Sequence, residues 1–302
     1  MQARFRLSVF VLFVGISMLS PSISSSQEIK IGILANRGFT AAAKQWTATA
    51  QYLTSKLGKP VAVFPMDDKT LVEQVKEGKV DFFYTNSAMY VELNRFHNAQ
   101  AIATLVNQVN SQPLDQWGAA VIVRRDSSIN SLSDLKGKDF MCRGIMAFGG
   151  WLMAKRLFVD NGMDPEKDLK SLRSTATHDN VVWAVYNGAV DAGSVRTGTL
   201  EQMAQDGKIK LEDFRIIHQM SDKFPLVHST QLYPEYPMAA SAHVPQNVRT
   251  EVAQALLALS PSDAALTSAG IAGWKKPVDY SSVIDCLTVV QYGPFAKQAA
   301  KQ

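Results

Sequence analysis

Cysteine is scarce in this chain: Cys142 and Cys286 are the only two in 302 residues. Their separation excludes a C-x-x-C redox or zinc motif. A single disulfide, two buried thiols acting as small apolar side chains, and a Cys142 that faces a ligand from the end of a strand all stay open. The histidines at 97, 178, 218, 228 and 243 lack metal-ligand spacing. No G-x-S-x-G, H-E-x-x-H, P-loop or G-x-G-x-x-G pattern occurs in its required context, and His178 has no identifiable nucleophile to activate. No enzymatic chemistry, metal or cofactor is therefore expected. Basic residues form no block, and the formal net charge of +4 is spread along the chain. That excludes a nucleic-acid footprint and only mildly favours an anionic ligand. Beyond the first 26 residues no apolar run is long enough to cross a bilayer.

The N-terminal segment has a different character. Arg4 and Arg6 precede an apolar run of 13 residues, 7–19, followed by Pro21 and a serine cluster. The run is shorter than the roughly 20 residues of a membrane-spanning helix. With Ser24 and Ser26 just before Gln27, it reads as a secretory signal peptide over residues 1–26. No cysteine follows the run, so no lipid anchor is expected, and the product should be free in the periplasm. The remaining residues suffice for one large domain or two ordinary ones. A chain 46% hydrophobic and 19% charged is globular, which excludes disorder.

From Glu28 the sequence alternates strands with helices. Ile29, Ile31 and Ile33 have the period of a strand, and Ala43, Trp46, Ala50, Leu53 and Leu57 form one helical stripe that Gly58 and Pro60 stop. A strand at 61–64 follows, then a short helix capped by Asp68 that carries Leu71, Val72 and Val75, then a strand at 80–84. Such βαβ order implies a largely parallel sheet. The same order returns 110 positions later: L-V-E-Q-V-K-E-G-K-V-D at 71–81 aligns without gaps on V-V-W-A-V-Y-N-G-A-V-D at 181–191. The economical reading is two similar α/β lobes, residues 27–116 with 236–302 forming the first and 117–235 the second. A strand at 117–125 opens the second lobe, and the proline-bearing segment 214–241 carries the chain back. A helix near 248–259 and the stretch 280–295 are expected to pack on the first lobe. Two crossings make a hinge, with a ligand cleft between the lobes.

In such sheets ligands sit at the carboxyl ends of the strands, against helix N-termini. The first such junction holds Phe39 and Thr40, and its counterpart holds Phe148, Gly149, Gly150 and Trp151. Glycine there lets backbone N–H groups approach an oxyanion, or else forms a tight turn with the aromatic rings in the core. Tyr84 ends a strand and is followed by Asn86 and Ser87, which either cap the next helix or reach a ligand. At the equivalent place in the second lobe stand Arg196 and Thr197. An arginine ending a buried strand needs a partner, an oxoanion or an acidic side chain. His178 and Asp179 open a helix at the same edge, and His228 lies near the second crossing.

Two segments carry a resemblance. T-H-D-N-V-V-W-A-V-Y-N-G-A-V-D-A-G-S-V-R-T-G-T-L-E at 177–201 and S-L-S-D-L-K-G-K at 131–138 resemble the phosphate/phosphonate-binding (PhnD-like) periplasmic family. F-G-G-W at 148–151, the stretch 190–201, H-S-T at 228–230 and L-Y-P-E at 232–235 look similar to one branch, the sensor domains of tetrathionate-type histidine kinases. The resemblance implies a type-II periplasmic binding fold, two α/β lobes joined by a two-segment hinge, closing on an oxoanion without enzymatic chemistry. It implies a membrane partner, the permease of an ABC importer or a sensor kinase. No membrane helix or kinase domain follows in the sequence, so a separate partner is expected. By position, Tyr84, Asn86, the 148–150 loop, His178 and Arg196 would line the cleft. One departure stands out. Phosphonate binders of this kind carry a Ser/Thr-rich loop at the second-lobe helix start, whereas M-A-F-G-G here has no hydroxyl, which favours a larger or softer anion, such as a sulfur oxoanion, over a phosphonate- or phosphate-like one.

Overall fold

A computed structural model describes residues 28–35, 38–109 and 112–296. The segment read as a leader, 1–26, and the loop residues Asn36 and Arg37 lie outside the described residues.

The first sheet is built from β1 (Ile29–Leu34), β2 (Val61–Met66), β3 (Phe82–Tyr84), β4 (Gln100–Val109) and β5 (Gln112–Leu114). The chain then makes β6 (Gln116–Trp117) and enters a second sheet through β7 (Ala119–Arg124), β8 (Asp139–Cys142), β9 (Ser171–Ser174), β10 (Ala192–Arg196) and β11 (Phe214–Ile217). It returns through β12 (Tyr233–Pro234) to β13 (Pro237–Ala240) and β14 (Ile271–Lys275). Strands run β14-β4-β13-β3-β1-β2 in the first sheet, with β5 on β4, and β11-β7-β10-β8-β9 in the second. β6 and β12 pair antiparallel between the two sheets, Trp117 opposite Tyr233.

Local chemistry sets most element ends. In β1 every residue except Lys30 is buried, because helices cover both faces of a parallel sheet; the apparent alternation reflects only Lys30. Helix α1 (Phe39–Leu57) buries Trp46, Ala50 and Leu53 and ends on Gly58 in the left-handed region at φ 62°, a conformation glycine adopts freely. α2 (Asp68–Lys76) is capped by Asp67, whose Oδ1 accepts the Thr70 N–H at 2.7 Å. The expected cap, Asp68, sits one place too late to reach that N–H and lies in the first turn. α3 (Ser87–His97) follows β3.

The internal repeat has a common physical basis. In the first lobe Asp81 Oδ2 accepts the Lys30 N–H at 2.8 Å while its own N–H donates to Lys30 O. In the second lobe, 110 residues on, Asp191 Oδ2 accepts the Asp139 N–H at 2.8 Å and its N–H donates to Asp139 O. Each aspartate brackets the backbone at the start of the neighbouring parallel strand. β8 lies between β9 and β10 as β1 lies between β2 and β3. The covering helices of the second lobe are α4 (Met153–Asp160), entered by a π-helical turn at Phe148–Leu152, then α5 (Pro165–Asp168), α6 (His178–Tyr186) and α7 (Thr199–Gln205).

The C-terminal part holds α8 (Gln246–Leu257), α9 (Ala264–Ala269) and α10 (Ser281–Val289). Of these, α10 lies against α3 of the first lobe, as expected of the stretch 280–295, and also against α4. The Arg156 guanidinium on α4 donates to Asp160 at 2.8 Å and to Asp285 on α10 at 2.6 Å. Cys286 packs its thiol 3.9 Å from Leu152 O. Both cysteines are free and buried, so of the alternatives left open the structure has two buried thiols without a disulfide. Burial raises the Cys142 thiol and pushes Cys286 up to about 12. Among the described residues no helix is long and apolar enough to cross a membrane.

Two outcomes are expected. Both thiols should resist DTNB in the native protein and react on denaturation, because the thiolate is the nucleophile and burial suppresses it; rapid native reaction of either would contradict this packing. Gly193→Ala would bring a Cβ to 2.6 Å from Val181 Cγ1 and 2.9 Å from Met141 O. It should lower stability by about 1–3 kcal/mol, as overpacking does, read from urea unfolding; a wild-type midpoint would show that α6 can shift off the sheet freely.

Candidate ligand-binding cleft

The centre of the molecule is a stacked ion pair. Arg196 closes β10 opposite Ala119 on β7, and its side chain is 18% exposed while that of Glu235 is 1% exposed. Arg196 Nη2 donates to Glu235 Oε1. Glu235 Oε2 accepts the Tyr236 N–H at 3.2 Å. The guanidinium lies over the Trp117 ring at 4.2 Å and over the Tyr236 ring at 5.1 Å, a cation–π arrangement that suits the planar, weakly hydrated arginine head.

Trp117 is fixed from three sides. Its Nε1 donates to Pro234 O at 2.9 Å, Phe148 meets it edge-on at 5.7 Å, and Gly149 lies against its benzo edge. A Cβ on Gly149 would stand 2.0 Å from Trp117 Cζ3, so only glycine fits. Gly150 O accepts from Ser194 Oγ. From Tyr236 the aromatic wall continues to Tyr84 at 5.4 Å, Trp46 at 4.5 Å beyond it and Trp274, edge-on to Tyr84 at 6.2 Å. The Trp274 Nε1–H is buried without a hydrogen-bond partner among the described residues. Burial holds the Tyr84 hydroxyl well above its usual range, helped by the Glu235 charge, and raises Tyr236 as well. Glu235 is raised by burial against the opposing pull of Arg196. Arg196 keeps its charge: burial disfavours it, and Glu235, Tyr236 and Tyr84 outweigh that.

The other expected site residues fall into two groups. Near the pair, His178 Nδ1 accepts the Arg196 backbone N–H at 3.3 Å, and Thr197 Oγ1 accepts the Gly118 N–H at 3.3 Å. Asn86 caps α3, its Oδ1 accepting the Met89 N–H at 3.0 Å, and Ser87 Oγ donates to Pro234 O at 2.6 Å. Farther off, Trp151 packs against Phe140 and Phe158 in the second lobe, and Asp179 pairs with Lys208 at 3.7 Å. His228 is buried, its Nδ1 2.7 Å from Thr230 O and its Nε2 3.2 Å from Asp222 Oδ1. Phe39 and Thr40 begin α1, and Phe39 is 57% exposed. The structure thus gathers Tyr84, Phe148, Gly149, His178, Arg196 and Thr197 around Trp117, Glu235 and Tyr236. Sequence reasoning missed Trp117, Glu235, Tyr236 and Trp274 as site residues and placed Trp46 in a helix stripe. The L-Y-P-E segment at 232–235, quoted only for the resemblance, contains Glu235, and no reading of the residues singled it out. Among the described residues no group of His, Cys, Asp and Glu is placed to hold a metal ion.

Comparison with known proteins gives the family and the fold. Residues 31–281 match the family described as the periplasmic phosphonate substrate-binding protein of an ABC transporter. The chain is 32% identical over 228 residues to the tetrathionate sensor histidine kinase TtrS of Salmonella typhimurium, a match covering 75% of this chain and 38% of that protein. It is 27% identical over 213 residues to the phosphonates-binding periplasmic protein of Escherichia coli, covering 67% and 60%. It therefore spans less than two thirds of either curated relative. Among solved structures, XAC2383 from Xanthomonas citri bound to ATP superposes with a TM-score of 0.70 at 18% identity, covering 87% of this chain and 97% of that one. PhnD1 from Prochlorococcus marinus in complex with methylphosphonate gives 0.67 at 15% identity, covering 86% and 97%. These likenesses show a shared fold, the two-lobed α/β periplasmic binding fold. With most of its length matched, the chain belongs to the periplasmic phosphonate substrate-binding proteins of ABC transporters, a family of non-enzymatic binding proteins.

Proposed function

We propose that the chain is a periplasmic solute-binding protein that closes its two lobes on a small oxoanion at Arg196 and delivers it to the permease of an ABC importer. On this reading residues 1–26 are a leader removed on export, and the hinge divides a lobe of 27–116 with 236–302 from one of 117–235. The observation that carries the proposal is the placement of Arg196: a fixed guanidinium, stacked between Trp117 and Tyr236, at the carboxyl end of a strand where the two sheets face one another. A buried guanidinium recognises an oxoanion through paired N–H groups, and removal of water strengthens each bond.

The walls favour a soft anion. Trp46, Tyr84, Tyr236, Trp117 and Trp274 present rings, and the 146–150 loop has no hydroxyl. The Trp274 indole N–H lacks an acceptor, which a ligand oxygen would supply. A large anion with dispersed charge loses less hydration on entering such a site than a compact phosphonate does. A sulfur oxoanion such as tetrathionate fits best, with Asn86, Ser87, His178, Thr197 and the 148–150 amides around it and Phe39 and Thr40 at the rim. The likeness to a tetrathionate sensor kinase supports a second reading, a sensory binding subunit that reports this anion to a membrane kinase.

The first test is thermal denaturation of the mature protein with tetrathionate, thiosulfate, sulfate or methylphosphonate. A bound anion at 100 times its Kd should stabilise by about 2.7 kcal/mol; no shift with any of them would overturn the anion reading. The second is Arg196→Lys, which keeps the charge and loses the fork and the stack. Tetrathionate affinity by calorimetry should fall about tenfold or more, corresponding to the about 1.5–3 kcal/mol of a hydrogen bond to a charged group. Unchanged affinity would remove Arg196 from the site.

A further inference from the structure

We propose that Glu235 is a resident counter-charge that sets which anions the cleft admits: its carboxylate holds the ligand's place at Arg196, and an anion enters together with a proton taken up by Glu235. The inference rests on the anion-binding reading of this cleft. It starts from the fact that the guanidinium at the end of β10 is already paired. An anion that approached Arg196 with Glu235 still ionised would bring two negative charges to one buried cation, and like charges in a site of low dielectric repel strongly.

Glu235 has little freedom to withdraw. It stands between Pro234 and Tyr236, with Pro237 next, and its backbone N–H donates to Asp115 O at 2.9 Å. Its backbone carbonyl accepts from the Tyr280 hydroxyl at 2.9 Å and lies 3.5 Å from Ser87 Oγ. The peptide is thus held from both crossing strands and from two helix starts, and the side chain is enclosed. Protonation is the remaining route. A protonated carboxyl leaves Arg196 to the anion and gains an O–H that can itself donate to an anion oxygen.

The charged and titratable groups around it point the same way. Arg196 faces it from β10, Tyr84 from β3, Tyr236 from its own segment and Tyr280 from the start of α10, while the Asn107 side chain on β4 favours the carboxylate form. Lys275 on β14 is occupied by Asp115 at 2.6 Å, and the Arg143–Asp68 pair, 3.8 Å apart, acts on Tyr236. Burial raises the Glu235 carboxyl, and Arg196 is the cation that pulls it back down. Once an anion claims Arg196 that restraint weakens and the carboxyl's affinity for a proton rises. A group whose pKa rises on binding takes up a proton, so binding strengthens as pH falls and weakens as pH climbs past the ligand-free value. His178, bonded to the Arg196 backbone, is the other titratable group near enough to imitate this.

The test is calorimetry of the mature protein with tetrathionate and with thiosulfate, neither of which changes charge in the range used. Measured in buffers of different ionisation enthalpy, wild type should take up as much as one proton per anion, and Kd should rise with pH, toward tenfold per pH unit, as pH climbs past the ligand-free value. Glu235→Gln should abolish both the uptake and the slope and bind at neutral pH at least as tightly as wild type; His178→Asn should keep both. Wild type that binds with no proton uptake and a flat Kd overturns the proposal and leaves the anion site standing, and the wild-type proton count decides this even if Glu235→Gln fails to fold. A slope that survives in Glu235→Gln and disappears in His178→Asn assigns the proton to His178 and also overturns it. If neither protein binds either anion at any pH, the anion reading falls and this inference with it.

Discussion

The contact between Arg196 and Glu235 is the constraint around which the rest of the cleft is arranged. A buried charge is tolerable only when it is paired and hydrogen-bonded, and this pair draws its support from both sheets and the strands between them. Arg196 comes from the end of β10 and Glu235 from the turn between β12 and β13. The rings that sandwich the guanidinium, Trp117 and Tyr236, stand on the outgoing and returning crossings. Trp117 in turn fixes Gly149, because no side chain fits against its edge. One desolvated ion pair therefore dictates two aromatic residues, a glycine and the register of a two-stranded link. Substituting either charged partner alone would leave the other buried and uncompensated, a more severe change than losing the pair.

The repeat explains why the cleft is asymmetric. The aspartates at 81 and 191 make the same backbone bracket in each lobe, and strands one repeat apart take equivalent places. The copies differ where they face each other. Asn86 and Arg196 stand 110 positions apart, at the ends of equivalent strands. The first is a neutral helix cap and the second a charged group paired with Glu235. Ser87 and Thr197 are similarly matched, and each makes a hydrogen bond to a crossing segment, to Pro234 O and from the Gly118 N–H. The two copies therefore differ at matched helix starts, a neutral cap in one and a paired cation in the other.

Much of the fold was legible because it depends on local rules. The stop of α1 at Gly58, the βαβ order and the 110-residue offset follow from periodicity and glycine conformation, which act over a few residues. The cap of α2 was displaced by one residue because Asp67 and Asp68 are chemically identical and only the reach to the Thr70 N–H separates them. The site was less legible for a different reason. Trp46 is a buried helix-stripe residue whose ring also packs on Tyr84 and Trp274, and no pattern distinguishes those roles. Glu235 is 39 residues from its partner, and Trp117 meets Gly149 only once the crossing strands are in register. Arg196 could be singled out because a charge closing an apolar strand is locally anomalous. The residue that answers the charge could not, since either an acidic side chain or a ligand would satisfy it.

On the proposed reading, the crossings that carry the pair are also where the lobes bend, so ligand site and hinge form one mechanical unit. Trp117 Nε1 and Ser87 Oγ both donate to Pro234 O, tying the outgoing strand and the first-lobe helix α3 to the returning strand at one carbonyl. Opening the lobes strains these bonds while it exposes Arg196. α10 adds a second restraint away from the cleft, since it packs on α3 and reaches α4 through Asp285 and Arg156. That ion pair is partly exposed and by itself contributes little, whereas the buried packing of Cys286 and Leu287 beside it is lost only if α10 leaves one of its two neighbours. Lobe opening is therefore resisted by apolar contact at the C-terminal helix and by charge at the cleft. An anion that takes over Arg196 changes the second of these without disturbing the first, which is how a small ligand can bias a large motion.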